Sequence, residues 1–349
     1  MSVVLITGVS RFLGGRLAGQ LAADPEVERI IGVDAVPPRP ADLGVLGRTE
    51  FVRADIRNPL IAKVMAQAGV RTVVHAALMA SPRAVGSRVA MQEMNVIGTM
   101  QLLAACQKSE TVERLVLRST TALYGCGPAD PAVLTEDMHP HEGAQTGYAK
   151  DAAEVEEYVR GFARRRPDVG VSVLRMATII GPTVDTAFTR YLAMPVVPTA
   201  LGFDPRMQLL HESDAVEALR LATIAHRPGV VNVAGAGVVT LSQLLRLAGR
   251  LRIAVPAAAL GLVGAAVRNS GVIDVTTEES RYLNFGRVVD TTRLREQFGY
   301  QPRYSTAAAV QSYVESLRPR PRPALALLGV GSQMLQERIG RRALIGSAP

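Results

Sequence analysis

Gly8 and Gly14, spaced as Gly8-x-x-Arg11-x-x-Gly14, and the acid Asp34 further on have the types and spacing to grip a phosphate and a ribose. The glycines follow the apolar run Val3-Val4-Leu5-Ile6-Thr7 and precede a helical pattern. A strand that ends in such a turn aims the next helix N-terminus, with its free N-H groups and positive dipole end, at a pyrophosphate. Asp34 closes the second apolar run, Arg29 to Val33, at the distance where a carboxylate accepts ribose hydroxyls. The chemistry implied is dinucleotide binding, with Gly8, Arg11, Phe12, Leu13 and Gly14 forming the turn. Asp34 would repel a 2′-phosphate, which favours NAD over NADP. Arg11 stands where a glycine normally lets the backbone approach the phosphates. Two readings stay open for it: a positive charge added to the pyrophosphate, or a surface side chain that loosens cofactor binding.

These residues need a scaffold of alternating strands and helices, and the chain supplies one. Strand patterns recur at residues 51–55, 72–77, 114–119, 171–174 and 230–233, with helical stretches at 59–68 and 87–108. The expected fold is α/β, a Rossmann-type doubly wound parallel sheet with a smaller C-terminal substrate-binding lobe. Residues 1–317 form the expected domain, with a Rossmann core over about 1–175 plus later returning elements, and the lobe mainly over 176–300. Residues 318–323, Arg-Pro-Arg-Pro-Arg-Pro, read as a stiff extended linker, and 324–349 as a basic amphipathic tail.

Composition narrows the function classes. The net charge of +8 is concentrated at the end: six arginines and one glutamate after Leu317 carry +5, leaving +3 for the body. No basic strand interleaved with aromatics precedes it, so nucleic-acid recognition is disfavoured. Cys106 and Cys126 have no metal-type or redox-motif spacing, His139 and His141 flank Pro140 without a ligand pattern, and no metal is expected. With no signal-peptide pattern read at the start, a reducing cytoplasm is the expected location. The uncharged run Ile253 to Val267 is too short to span a bilayer and is read as a buried helix of the lobe. The tail could dock on its own domain, pair two subunits as a homodimer, or rest on an anionic membrane surface, the last being disfavoured.

Further along, the chain resembles the extended short-chain dehydrogenases/reductases, in the NAD-dependent epimerase/dehydratase group. The marks are the Thr7-Gly8 turn, Ala54-Asp55-Ile56, His75-Ala76-Ala77, Asn95-Val96-Ile97-Gly98-Thr99, and Ser119-Thr120-Thr121-Ala122-Leu123-Tyr124-Gly125. Tyr148, Leu174-Arg175, Ile180-Gly181-Pro182, His211-Glu212-Ser213-Asp214-Ala215, Arg287-Val288-Val289-Asp290 and Phe298-Gly299-Tyr300-Gln301-Pro302 follow in the family's order. The resemblance implies that Asp55 and Ile56 flank the adenine, Ala76 and Ala77 the middle of the cofactor, and that Asn95 fixes the long helix near the active site. It implies Tyr148 and Thr120 as the proton-handling pair, Thr121 as their substrate-side neighbour, and Arg175 and Arg206 as candidate ligands for an anionic substrate. The substrate class it implies is a nucleotide sugar.

One departure bears on catalysis. In the family a lysine one helical turn after the tyrosine supports the deprotonated phenol and holds the ribose. Residues i and i+4 share a helix face, yet position 152 is alanine. Lys150 is about 200° around the helix from Tyr148, and Asp151 brings a negative charge where a positive one is needed. Lys63, Lys108 and Lys150 are the only lysines, so an arginine from elsewhere in the fold is the plentiful replacement. Two functions follow: an NAD-dependent epimerase/dehydratase-like oxidoreductase, or a catalytically impaired NAD(H)-binding regulatory or scaffold protein of the same fold.

Overall fold

The structure, a computed structural model, describes residues 2–81, 85–139, 147–256, 259 and 276–317. The expected linker and tail, His141 and most of the apolar run up to Val267 lie outside these residues. In the first half, strands β1 (Ser2–Thr7), β2 (Val27–Asp34), β3 (Glu50–Arg53), β4 (Thr72–His75) and β5 (Arg114–Thr120) alternate with helices α1 (Phe12–Ala22) and α2 (Leu60–Ala68). Helices α3 (Arg88–Gln92) and α4 (Gly98–Lys108) follow β4, and α5 (Gly147–Arg165) leads into β6 (Gly170–Met176).

The second half contains β7 (Thr178–Ile180), α6 (Ala187–Ala193), β8 (Val196–Ala200), β9 (Arg206–Met207), β10 (Leu209–His211), α7 (Glu212–Ile224) and β11 (Gly229–Val233). After these come β12 (Val239–Thr240), α8 (Leu241–Leu247), β13 (Leu251–Val255), α9 (Thr277–Phe285), β14 (Gly286–Arg287), α10 (Thr292–Glu296) and α11 (Thr306–Leu317).

Seven strands form one parallel sheet in the order β11-β6-β5-β4-β1-β2-β3. Both faces are covered by helices, so the strands run almost wholly apolar: Val4, Leu5, Ile6, Val73, Val74, Leu115, Val116 and Leu117 are all buried. The chain leaves β1 for β2 on one side and returns as β4 on the other, which opens a crevice beyond the C-terminal ends of β1 and β4. This is the doubly wound sheet expected from the strand pattern. A second apolar cluster, including Phe188, Tyr191, Leu192, Met207, Leu244, Tyr282 and Tyr313, forms the smaller lobe. Asp214, on α7 of the main core, ties down the closing segment by accepting from Tyr300 Oη (2.9 Å) and from the backbone N-H groups of Arg303 and Tyr304 (2.9 and 3.0 Å).

Two sequence expectations are corrected. The helix expected over 87–108 is interrupted by a π-helical turn, Glu93–Ile97. Asn95 lies in this turn, where its amide pairs with both backbone groups of Met79, at 2.8 and 3.0 Å. That side-chain anchoring accompanies the widened turn. The start of the apolar run after Ile253 belongs to β13, a strand paired in parallel with β8, and not to a helix.

His75 closes β4 at 2 % exposure, its Nδ1 2.7 Å from Thr7 Oγ1 and its Nε2 2.8 Å from Thr99 Oγ1. Burial lowers its pKa to about 4, so it is a neutral structural histidine that bolts β1 to α4. Because the unfolded chain binds this proton near pH 6.5 and the folded chain only near 4, stability rises with pH across that window and falls on acidification. Thermal unfolding followed from pH 6.5 down to about 4 is expected to show a smaller loss for His75→Gln than for the wild type.

Candidate functional site

The turn between β1 and α1 is built for close approach. Gly8 has φ +76°, and a Cβ there would lie 2.8 Å from Ala77 Cα; a Cβ at Gly14 would collide with the Gly8 carbonyl oxygen. The turn is pinned by Gly8 N-H donating to Val33 O (2.8 Å) and Arg11 N-H to Gly8 O (3.0 Å). Helix α1 has no side-chain cap and no acid in its first turn, so its positive end faces outward uncompensated.

That end opens into a cavity of about 660 Å3 running from the glycine turn to the smaller lobe. Arg11, Phe12, Leu13, Ala76, Thr120 and Tyr148 line it, joined by Arg118, Met176, Thr178, Phe188, Tyr191, Tyr282 and Arg287. The structure thus brings the glycine turn, Thr120 and Tyr148 onto one cavity. Thr120 Oγ1 accepts from Ala122 N-H at 3.1 Å, which caps the short 3-10 turn Thr121–Tyr124. That bond uses an acceptor site of Thr120 and does not consume its hydroxyl proton.

Asp34 is buried behind the turn and accepts from the backbone N-H groups of Ser10 and Val36, both at 3.3 Å. Arg11 Nε lies 4.0 Å from Asp34 and has no hydrogen-bond partner among the described residues. Burial pulls the Arg11 guanidinium below its ordinary pKa; Asp34 pushes it up and Arg118 pushes it down. Arg11 therefore faces the cavity rather than standing free on the surface. An uncapped helix end and an arginine with unused donor capacity fit an anionic group, so Gly8, Arg11, Phe12, Leu13 and Gly14 could hold a dinucleotide.

The side chain that the sequence reading could not place is Arg118. From β5 its Nη1 donates to Tyr148 Oη at 3.0 Å and to Leu78 O at 3.1 Å, and its Nε is buried without a partner among the described residues. A sequence signal existed: on a strand, residues i and i+2 share a face, so Arg118 lies on the side of Thr120. Asp151 is neutralised by Arg88, whose two Nη atoms reach its oxygens at 2.8 and 2.5 Å, while Asn95 donates to it at 3.0 Å. Asn95 thereby links the π turn to α5 beside Tyr148.

Other expected site residues lie elsewhere. Arg175, read as a substrate ligand, is 5 % exposed and does not reach the cavity. It donates to Glu156 at 2.7 to 3.1 Å, to Tyr124 Oη at 2.8 Å and to Glu136 O at 2.9 Å. Burial lowers its pKa, but the hydrogen bonds and charges of Glu156 and Tyr124 outweigh this and raise it. Arg175 is therefore a buried cross-link between β6 and α5. Thr121 is buried in the 3-10 turn and is not among the residues that line the cavity.

Arg206 is exposed, donates to Ala132 O at 3.2 Å, and borders a separate cavity of about 330 Å3 beside Cys126 and Arg287. Burial pushes the Cys126 thiol up in pKa, against the opposing effect of Arg287 at 3.7 Å, so it is a passive lining group. Asp55 pairs with Arg57 at 2.7 Å, which holds its carboxyl below the usual range, and Ile56 packs under Gly98, where a Cβ would lie 2.6 Å from Ile56 Cδ1.

Comparison with known proteins assigns this architecture. Residues 4–234 match the model of the NAD dependent epimerase/dehydratase family, and the chain belongs to that family. An uncharacterized protein of Mycobacterium tuberculosis (strain ATCC 25618 / H37Rv) is 48 % identical over 312 residues, 89 % of this chain and 83 % of the relative. A UDP-glucose 4-epimerase of Mycolicibacterium smegmatis is 27 % identical over 186 residues, 52 % of this chain and 57 % of that protein. Among solved structures, the Thermotoga maritima UDP-glucose 4-epimerase with UDP-glucose superposes with a TM-score of 0.70 at 20 % identity, covering 90 % of this chain and 98 % of that one. The Bacillus anthracis dTDP-glucose 4,6-dehydratase in complex with NAD gives 0.70 at 19 % identity, covering 90 % and 96 %. These structures share the fold. No helix among the described residues is long and apolar enough to cross a membrane.

Removing one partner of a buried ion pair strands the other charge, at a cost of about 3–5 kcal/mol. Arg175→Met is accordingly expected to lower stability by about that amount in urea unfolding, while calorimetric affinity for NADH stays at the wild-type value.

Proposed function

We propose that the chain is an NAD(H)-dependent enzyme of the epimerase/dehydratase type that oxidises and re-reduces a ring carbon of a nucleotide-linked sugar. The observation that carries this reading is that Tyr148 and Thr120 line the same cavity as the uncapped N-terminus of α1. Gly8, Arg11, Phe12, Leu13 and Gly14 hold the pyrophosphate, with Ala76 and Ala77 at the end of β4 beside the middle of the cofactor. Asp34 receives the ribose hydroxyls, and Asp55 and Ile56 flank the adenine. Asp34 favours NAD over NADP, since its buried carboxylate would repel a 2′-phosphate.

Bound NAD supplies a nicotinamide that accepts and returns hydride. Tyr148 Oη takes the proton of the sugar hydroxyl and gives it back, and the Thr120 hydroxyl orients that hydroxyl by hydrogen bonding. Arg206, on the neighbouring cavity with Arg287, is the candidate for contacting a phosphate of the substrate. Support for the sugar-nucleotide class comes from the neighbours whose complexes hold UDP-glucose and NAD.

Ala152 favours a second reading, an impaired cofactor-binding regulator, and one pair of measurements separates the two. Calorimetric titration of nucleotide-stripped protein with NAD, NADH, NADP and NADPH is expected to show tight binding of the first two. With UDP-glucose and UDP-galactose as probes, Tyr148→Phe is expected to reduce turnover about a hundredfold or more while leaving NADH binding in place. NADH binding accompanied by no turnover of either sugar in the wild type would favour the regulator.

A further inference from the structure

A phenol that exchanges a proton with a sugar hydroxyl needs a positive charge to stabilise it when the proton is gone. Helix α5 does not provide one. Position 152, one turn after Tyr148, is a fully buried alanine, and Lys63, Lys108 and Lys150 are all exposed and absent from the cavity lining. The charge comes from the sheet. Arg118, two residues before Thr120 on β5, spans to α5 and donates to Tyr148 Oη at 3.0 Å. It is anchored by the Leu78 carbonyl at 3.1 Å, which fixes the guanidinium against the end of β4.

We propose that Arg118 is the positioning cation of this site, holding the Tyr148 phenol oxygen from the sheet side and completing the dinucleotide pocket in place of a helix-borne ammonium. The proposal rests on the NAD-binding reading above and adds a residue to it. Three further observations support it. The buried Arg118 Nε has no partner among the described residues, so the side chain keeps a donor for a ligand. Arg11 Nε, 4.0 Å from Asp34, is also buried and makes no hydrogen bond among the described residues. The charge of Arg118 opposes that of Arg11, so the two guanidiniums share the cavity as like charges that an anion between them would relieve. A guanidinium also stays charged at any working pH, so the site has a permanent cation where a lysine would supply a titratable one.

The test is calorimetric titration with NADH of the full chain and six variants, with circular dichroism confirming that each is folded. Arg118→Ala is expected to weaken NADH about tenfold or more, since a charge-assisted hydrogen bond is lost from a partly buried site. Arg118→Lys is expected to recover much of the loss. Arg118→Ala/Ala152→Lys should also recover it, because position 152 shares the helix face of Tyr148. Ala152→Lys alone should not tighten binding, because the phenol already has its cation. The coupling to Tyr148 is read from a double-mutant cycle: Arg118→Ala should cost less in the Tyr148→Phe background than in the wild type.

Wild-type affinity in Arg118→Ala would overturn the proposal and leave the NAD-binding reading standing. Equal losses in both Tyr148 backgrounds, or no recovery with either lysine variant, would also overturn it, reducing Arg118 to a structural residue. A wild type that binds neither NAD nor NADH would overturn the nucleotide reading itself and this proposal with it. If Arg118→Ala does not fold, Arg118→Gln, which keeps a donor for Leu78 O without the charge, replaces it with the same expectations.

Discussion

A Cβ at Gly8 would stand 2.8 Å from Ala77 Cα, so β1 and β4 can end side by side only if the chain turns here through a residue with no side chain. The rest of the site depends on that contact. It places the N-terminus of α1 over the crevice where the strand order reverses, and it brings the β4 end, with Ala76 and Leu78, against the same cavity. Gly14 is under a similar restriction from the Gly8 carbonyl, which lets the helix begin immediately above the turn. Close packing of backbone on backbone therefore creates the anion-seeking helix end, and no side chain needs to cap it.

Around this turn the protein separates its buried charges into two kinds. Arg175 and Glu156 satisfy one another beneath the site, with Ser119, Tyr124 and Glu136 using the remaining bonding capacity. Arg88, Asp151 and Asn95 do the same at the start of α5. Such closed networks rigidify the platform that carries Tyr148 and offer nothing to a ligand. Arg11 and Arg118 are different. Each keeps a buried Nε with no partner among the described residues, and both line the cavity. Unused donors of one sign gathered at one place favour an anion there, consistent with a family of NAD-dependent enzymes.

The Arg118 to Tyr148 bond joins the phenol on the helix to a cation on the sheet. Helix α5 and strand β5 approach one another along the sheet, so a phenol on the helix can take a cation from either side. A long guanidinium reaching across from β5 leaves position 152 free to be a small, fully buried residue in the apolar core. The fold is unaffected by this arrangement and superposes on sugar-nucleotide epimerase and dehydratase structures over 90 % of the chain.

Much of this architecture was legible in the residues themselves. Apolar runs of strand length and the glycine spacing specify the parallel sheet and its tight glycine turn because both follow from local rules: apolar patterning, helix periodicity and the freedom of glycine. Set against the family it resembles, the sequence also exposed an alanine where a lysine is expected, at the position that shares a helix face with Tyr148. What it could not decide were the partners of long charged side chains. Arg175 and Arg118 sit near the ends of adjacent strands, both as arginines in apolar company. One turns down to Glu156 and is spent in the core, while the other turns up to Tyr148 and lines the cavity. The π turn at Glu93–Ile97 and the strand at Ile253 were hidden because partners distant in sequence hold them, Met79 for Asn95 and β8 for β13. Local rules write the elements whose neighbours in sequence suffice, whereas a strand edge or a guanidinium several bonds from its Cα goes to whichever partner the tertiary fold brings within reach.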